Sequence, residues 1–232
     1  MKDNSEEKPR LPPGQHLIKK KERFPVLQHG KGAHINRETY QLKIEGEVQE
    51  STSLSLKELQ KLEDKEIIVD IHCVTSWSKF DTQWGGISFQ KILDLVKPKQ
   101  SANFVEFLCA DDNFTTTVPI EAVRSENALL ALYYDEEPLN DKHGGPVRAL
   151  IPDLYFYKSA KWVIKITFLE EDRLGYWERG GYSNKADPWK EQRYSYNLKR
   201  DRNLLIKRDR NLLISGRSMH CDESSTRLSI EI

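Results

Sequence analysis

Apolar and polar residues alternate along the middle of the chain, with periods that change from one segment to the next. The alternation over residues 40–44, just before Gly46, predicts a half-buried strand, because successive strand side chains point to opposite faces. The β-branched run over residues 67–71 predicts a buried strand that ends at His72 and Cys73. Further strands are predicted over residues 104–108, 114–118, 147–151 and 162–168.

Two short helices are predicted from the serine residues that can cap them. Ser55 and Glu58 have the spacing of a capping box, in which each side chain bonds to the backbone of the other residue. Ser88 precedes a helical stripe of apolar residues over residues 89–96. Because strands and short helices interleave without a regular βαβ rhythm, we expect an α+β fold with mixed β-sheets and short helices.

Length and charge favour a single domain between two charged ends. The chain has 232 residues, and its 36 basic and 36 acidic side chains balance to zero formal charge. Residues 1–22 are charged and contain prolines, which predicts a mobile N-terminal arm before one domain over residues 23–195. Residues 196–232 are expected to form a charged C-terminal tail, in which KRDRNLLI occurs at residues 199–206 and again at 207–214. Two copies are too few to build a solenoid.

Composition also excludes several classes of protein. The sequence has no apolar run of the ~18 residues that a membrane-spanning helix needs. The first residues lack the apolar core of a signal peptide, so we expect a cytoplasmic protein. Three cysteines without regular spacing do not make a disulfide framework. Zero net charge gives no reason to expect a nucleic-acid partner.

Residues suited to chemistry are concentrated in three segments. Cys73 opens the first, CVTSWSKFDTQWGG, although a lone cysteine is often only a buried, inert residue. The second, residues 143–162, contains four basic side chains that either converge on an anion or are simply solvated. The third, residues 174–194, is rich in aromatic residues and glycine and is also typical of an ordered loop. The four basic residues of the second segment are His143, Arg148, Lys158 and Lys161.

A zinc site is the weaker explanation of the cysteine and histidine residues. His72-Cys73 and His220-Cys221 are adjacent pairs. Adjacent side chains at the end of a strand point to opposite faces, so such a pair rarely chelates one ion.

Taken together, the three segments resemble the molybdopterin-binding domain of the sulfite oxidase superfamily. The resemblance extends over about residues 23–195 and is most specific over residues 71–93 and 137–162. FPVL at Phe24, WSKFD and GYWERGGYSN with the following DPW are similar to the compact bacterial and archaeal branch in particular. That branch is related to the catalytic subunit of periplasmic methionine sulfoxide reductase. The resemblance implies a single sulfite-oxidase-type domain.

The resemblance also implies a Mo-molybdopterin cofactor with Cys73 as the catalytic residue and the protein ligand to molybdenum. A thiolate suits this role, because it is a soft, strongly donating ligand. By the same resemblance, Cys109 is a cofactor contact, and a cofactor clamp is expected over residues 24–29. Trp77, Trp84 and Tyr155 are candidates for lining the pocket. The remaining cofactor-binding residues implied by the family are His143, Arg148, Ser159, Ala160 and Lys161.

The expected activity is oxygen-atom transfer on a small-molecule substrate of the S-oxide or N-oxide type, with electrons from an unidentified redox partner. Sulfite is not supported as substrate, because Lys79 is the only cation in residues 74–80, where sulfite oxidases have arginines. A non-catalytic molybdopterin-binding or carrier module is the alternative. Binding of nucleic acid or acidic lipid by the basic tail is a weaker one, because that tail lacks interleaved aromatic residues.

Overall fold

The computed structural model describes residues 9–18, 24–28, 32–111, 114–195 and 229–231. The repeated KRDRNLLI segment and the His220-Cys221 pair therefore lie outside the described residues. Among the helices in the described ranges, none is long and apolar enough to cross a membrane.

Two mixed sheets form the body of the domain, and a small third sheet has two strands. The first sheet has six strands: β1 (His16–Leu17), β5 (Lys65–His72), β6 (Trp77–Ser88), β9 (Leu129–Tyr134), β10 (Glu137–Pro138) and β11 (Arg148–Leu150). The second sheet has the order β4-β3-β12-β7-β8, with β3 (Gln41–Gly46), β4 (Thr52–Ser55), β7 (Phe104–Cys109), β8 (Thr115–Pro119) and β12 (Val163–Leu169). The third sheet pairs β2 (Val26–Gln28) with β13 (Ser229–Glu231).

Short helices connect the strands, as the capping signals predict. The described α-helices are α1 (Leu56–Lys61), α2 (Phe89–Val96), α3 (Ile120–Val123) and α4 (Tyr176–Arg179), and two 3₁₀ helices span Asp141–His143 and Phe156–Lys158. At α1 the capping box is complete, because Ser55 accepts from the Glu58 N–H and Glu58 accepts from the Ser55 N–H. At α2 the Ser88 side chain accepts from the Lys91 N–H. The expected α+β fold with mixed sheets is confirmed.

The six-stranded sheet buries apolar side chains on both faces. Along β9, Leu130 and Leu132 face the main core between the two sheets, where α1 and α2 also pack. Leu129 and Ala131 face a second core cluster on the opposite side. This division follows directly from the two-residue period of a strand. The second cluster, which contains Cys73, lies beside the candidate site.

Two expectations about the region around Cys73 are corrected. The strand over residues 67–71 was expected to be buried, but β5 pairs only with β6 and Ile68 is 68% exposed. No strand was predicted directly after Cys73, yet residues 77–88 form β6, the longest of the described strands. Its polar, aromatic and glycine residues give no strand pattern, and it is defined instead by its pairing with three neighbouring strands.

Part of the predicted N-terminal arm lies against the domain. β1 pairs in parallel with β6, matching His16 with Trp77. Arg10 forms an ion pair with Asp70, at 2.6 Å between Nε and Oδ2. The Trp189 indole N–H donates to the carbonyl of Pro9 at 2.8 Å. The segment over residues 9–18 therefore passes along the strand that follows Cys73.

Candidate active site

A cleft of about 990 Å³, counting the space open to solvent, lies next to the second core cluster. The lining is mostly apolar and aromatic, with a few convergent polar groups. Six stretches of chain contribute to it: residues 24–27, 73–77, 111 and 114, 142–148, 156–162, and 177–182.

Cys73 lies in the cleft at a tight turn between β5 and β6. The Cys73 carbonyl accepts from the Ser76 N–H at 3.0 Å, and the Cys73 N–H donates to the Trp77 carbonyl at 2.8 Å. Ser76 has a left-handed backbone, with φ of 76°, as the last residue of a three-residue hairpin loop often does. The turn thus places the side chain of Cys73 at the point where the first strand ends.

The thiol of Cys73 is buried at the edge of the cleft. Only 6% of the residue is exposed, and its Sγ lies 3.1 Å from the Thr75 Oγ1. Burial raises the pKa of the thiol above its usual value of 9.0, while the hydrogen bond with Thr75 and the charge of Arg193 oppose that shift. A metal ion bound to the sulfur would displace the proton, since a coordinating thiol is deprotonated.

Arg148 supplies a buried positive charge to the same cleft. Its Nη1 donates to the His143 carbonyl at 2.9 Å and its Nη2 to the Ser159 carbonyl at 2.8 Å. The guanidinium carbon lies 4.4 Å from the centroid of the Phe156 ring. Arg148 forms no ion pair with any acidic residue in the described ranges. Burial without a counter-charge lowers the pKa of Arg148 to about 9.

Lys161 lies in the cleft lining near Arg148. Its Nζ donates to the Lys142 carbonyl at 2.8 Å and lies 4.4 Å from the Trp162 ring centroid. Burial, and then the neighbouring charge of Arg148, lower the pKa of Lys161 to about 7. Gly144 allows this approach, because a Cβ on its left-handed backbone would lie only 2.6 Å from the Lys161 Cβ.

The other predicted cofactor-binding residues of this part of the cleft are Ser159, Ala160 and His143. The Ser159 Oγ accepts from the Ile151 N–H at 2.9 Å, which fixes the hydroxyl at the cleft wall. The backbone N–H groups of Ala160 and Lys161 donate to no residue in the described ranges. His143 stacks on Phe24, with ring centroids 5.0 Å apart.

The structure brings six of the seven predicted site residues to one cleft and separates the seventh. Cys109 ends β7 in the main core, has no exposed surface and does not line the cleft. Its assignment as a cofactor contact stays a prediction. The six residues that do line the cleft are Cys73, His143, Arg148, Ser159, Ala160 and Lys161.

Lys158 does not join this group, although the sequence suggested that it could. Its Nζ donates to the Glu178 carboxylate at 2.5 Å and to the Thr117 carbonyl at 2.8 Å, and its side chain is fully buried. The charge of Lys158 is therefore neutralised inside the domain. Its partner lies twenty residues further along the chain, beyond the reach of local sequence patterns.

Several lining residues were not assigned from the sequence. Phe24 and Leu27 fall in the expected clamp over residues 24–29, of which His29 lies outside the described residues. Trp177 and Tyr182 come from the aromatic third segment. Of the aromatic candidates, Trp77 lines the cleft, whereas Trp84 and Tyr155 are buried away from it. No cluster of metal-ligating side chains typical of zinc occurs within the described ranges.

The cleft has the apolar lining and the few polar groups of a small-molecule site, and comparison with known proteins identifies the family of the domain. Residues 29–177 match the family model described as "Oxidoreductase molybdopterin binding domain". This match covers more than half of the chain, so the chain belongs to that family. The sulfite oxidase-like resemblance and the expectation of an oxidoreductase are both confirmed.

Individual relatives are consistent with this assignment. The chain is 37% identical to "Uncharacterized oxidoreductase YuiH" of Bacillus subtilis over 194 residues, 83% of this chain and 96% of that protein. It is 28% identical to "Protein-methionine-sulfoxide reductase catalytic subunit MsrP" of Campylobacter jejuni over 161 residues, 62% of this chain and 54% of that protein. The chain thus spans about half the length of the latter.

A solved structure supports the fold alone. The sulfane dehydrogenase SoxCD from Paracoccus pantotrophus superposes with a TM-score of 0.56 at 16% sequence identity. The superposition covers 65% of this chain and 42% of the SoxCD chain.

Proposed function

We propose that the cleft binds Mo-molybdopterin, with Cys73 as the protein ligand to molybdenum, and that the chain transfers an oxygen atom to or from a small substrate. The observation that carries this proposal is the placement of a buried thiol and a buried, unpaired arginine in one cleft. The thiol suits a soft metal, and the arginine suits an anionic group. A second pocket, beside α2, is lined by neither a thiol nor a buried arginine.

The region around Arg148 fits the phosphate of a pterin cofactor. A buried guanidinium without an acidic partner is costly, and a bound phosphate would supply the missing counter-charge. Lys161 adds a second cation, and the backbone N–H groups of Ala160 and Lys161 add two neutral donors. The carbonyl bonds from Arg148 to His143 and Ser159 keep the guanidinium in place before the cofactor arrives.

Cys73 and its neighbours would form the metal end of the cleft. When bound, the cofactor supplies a metal centre whose oxidation state changes by two electrons as oxygen is exchanged with the substrate. Cys73 would hold that centre through its sulfur, and Thr75 would keep a hydrogen bond to the sulfur. Trp77 and Val74 would keep bulk water away from the site.

An S-oxide or N-oxide agrees better with the cleft than sulfite does. The lining residues that follow Cys73 are Val74, Thr75 and Trp77, and none of them is charged. Lys79, the cation of this stretch, is buried and does not line the cleft. The relatives named protein-methionine-sulfoxide reductase favour the reductive direction. Reduction of a sulfoxide consumes two electrons and two protons and releases a thioether and water, so a redox partner must supply the electrons.

The expected cytoplasmic location stays a prediction.

An activity assay tests this proposal. The purified protein, produced in a host that makes the cofactor, is mixed with a reduced viologen dye and with dimethyl sulfoxide, methionine sulfoxide or trimethylamine N-oxide in turn. We expect dye oxidation with at least one of these compounds, and no activity in Cys73→Ser. Protein from a host that cannot make the cofactor is the matched control. Bound pterin without any turnover would instead favour a carrier module, and equal turnover in Cys73→Ser would exclude the proposed ligand.

A further inference from the structure

The turn that carries Cys73 is held by side chains from outside the turn. The Gln15 Nε2 donates to the Cys73 carbonyl at 3.1 Å. The Arg193 Nη1 donates to the Val74 carbonyl at 2.5 Å. Gln15 lies in the N-terminal segment and Arg193 near the end of the domain, so the position of the turn depends on contacts that are distant in sequence.

Arg193 connects this turn to the N-terminal segment. Its Nη2 donates to the Gly14 carbonyl at 3.2 Å, while its Nη1 is bonded to Val74. Gly14 has a left-handed backbone, and a Cβ there would lie 3.3 Å from the Nη2 and 2.7 Å from a Glu191 oxygen. The N-terminal segment therefore packs directly against the Arg193 guanidinium.

The rest of the Arg193 side chain is also fixed. Its guanidinium carbon lies 5.0 Å from the centroid of the Tyr155 ring, and Tyr155 is fully buried. The Arg193 carbonyl accepts from the Ser183 N–H at 3.0 Å, a bond that fixes the Arg193 backbone within the third segment. Arg193 does not itself line the cleft. It acts on the site through the groups that it holds and through its positive charge, which favours the thiolate of Cys73.

We propose that Arg193 is a positioning residue for Cys73, which it serves by bridging the carbonyls of Val74 and Gly14 and so fixing the turn that directs the thiol into the cleft. The planar guanidinium donates from two nitrogens in a fixed fork, and this is the geometry that the bridge uses. A lysine has one ammonium on a flexible stem and would keep the charge without spanning both carbonyls. The inference rests on the proposed function only where it treats Cys73 as the metal ligand.

The test measures how fast iodoacetamide alkylates Cys73 in protein prepared without cofactor, with peptide mapping by mass spectrometry. Cys109 is an internal reference, because it is fully buried in the main core and should stay unmodified while the domain is folded. The variants are Arg193→Met and Arg193→Lys. Arg179→Met is the matched control, because Arg179 donates to one backbone carbonyl, that of Leu174, outside the cleft lining.

We expect both Arg193 variants to increase the alkylation rate of Cys73 by about tenfold or more, since a lost hydrogen bond from a charged group permits local opening of the turn. Removal of a nearby cation would by itself slow alkylation, because it disfavours the thiolate. A faster rate in Arg193→Met therefore reports loss of order in the turn. Arg179→Met should behave as the unmodified protein does.

An unchanged Cys73 rate in Arg193→Met with Cys109 still protected would overturn the inference, as would full restoration by Arg193→Lys. If both Cys73 and Cys109 react in Arg193→Met, that variant has unfolded. The Cys73 rate of Arg193→Lys, with Cys109 still protected, then tests the inference in its place. Molybdenum content of the loaded proteins separates the two proposals. Absence of metal from the unmodified protein, together with the expected alkylation rates, would reject the proposed function and leave the positioning role intact.

Discussion

The Lys158 Nζ lies 2.5 Å from the Glu178 carboxylate, and both side chains are completely buried. Thr116 also donates to the same carboxylate oxygen, at 2.8 Å, and Lys158 donates to Asn184 at 2.9 Å. The pair thus connects the segment that precedes Ser159 to α4 and β8. Because Glu178 follows Trp177 in α4, this buried network also holds Trp177 in the cleft lining.

Replacement of Glu178 by Ala should destabilise the domain strongly, because it leaves the ammonium of Lys158 buried without a counter-charge. The expected loss is about 3–5 kcal/mol in the free energy of unfolding, measured by urea denaturation. Glu45→Ala is the matched control, since Glu45 pairs with Lys165 at 3.1 Å near the surface. That change should cost less than about 1 kcal/mol. Equal losses in the two variants would contradict the structural role given to the buried pair.

Replacement of Arg148 by Lys should reduce the amount of pterin that purifies with the protein by about tenfold or more. A lysine cannot donate to the carbonyls of both His143 and Ser159 and also face an anion, so the cation would lose its fixed position. Pterin is measured by fluorescence after release from the denatured protein. Arg124→Lys is the control, because Arg124 is exposed and pairs only weakly with Glu121, at 3.8 Å. Undiminished pterin in Arg148→Lys would argue against a phosphate site at this residue.

Gly144→Ala should both destabilise the domain and displace Lys161. The new Cβ would meet the Lys161 Cβ at 2.6 Å, on a backbone with φ of 93° that alanine rarely adopts. Gly181→Ala separates the two effects, because Gly181 has φ of 99° but nothing within 4 Å of its Cβ position. We expect a loss of about 1 kcal/mol in Gly181→Ala from backbone strain alone, and a larger loss with reduced pterin in Gly144→Ala. The idea fails if the two variants are indistinguishable in thermal denaturation and in pterin content.

The charge of Lys161 should make the stability of the cofactor-free protein depend on pH. The pKa of Lys161 is lowered to about 7 in the fold, against 10.5 for an ordinary lysine, so the unfolded chain binds more protons between these values. The destabilising effect of the buried charge is fully present below pH 7 and is lost as the pH rises towards 10.5. We therefore expect the unfolding free energy of the unmodified protein, relative to Lys161→Met, to increase between pH 7 and pH 10. A flat or falling difference would contradict the assigned pKa shift.

Local sequence patterns predicted the helices and hairpins that depend on contacts between residues close together in the chain. The serine caps of α1 and α2 involve residues only three positions apart, and both helices form as expected. The hairpin of β7 and β8 is likewise evident from two apolar strands around a polar turn. The long strand β6 was missed, because its residues follow no strand period and only its pairing with other strands defines it.

The sequence likewise predicted only part of the candidate site. Resemblance to a family placed six residues that the fold brings to one cleft, including Cys73 and Arg148. The sequence could not separate Lys158 from those cations, because its neutralising partner Glu178 reaches it only through tertiary packing. The contacts of Arg193 are also invisible in the sequence, since they join segments that are 119 and 179 residues apart.

The metal and pterin content of the purified protein tests the central claim most directly. Plasma mass spectrometry and pterin fluorescence would be applied to the unmodified protein, Cys73→Ser and Cys109→Ala, all produced in a host that makes the cofactor. We predict near-stoichiometric molybdenum in the unmodified protein and in Cys109→Ala, because Cys109 does not line the cleft, and loss of the metal in Cys73→Ser. Molybdenum retained in Cys73→Ser, or a folded unmodified protein with neither molybdenum nor pterin, would contradict the account.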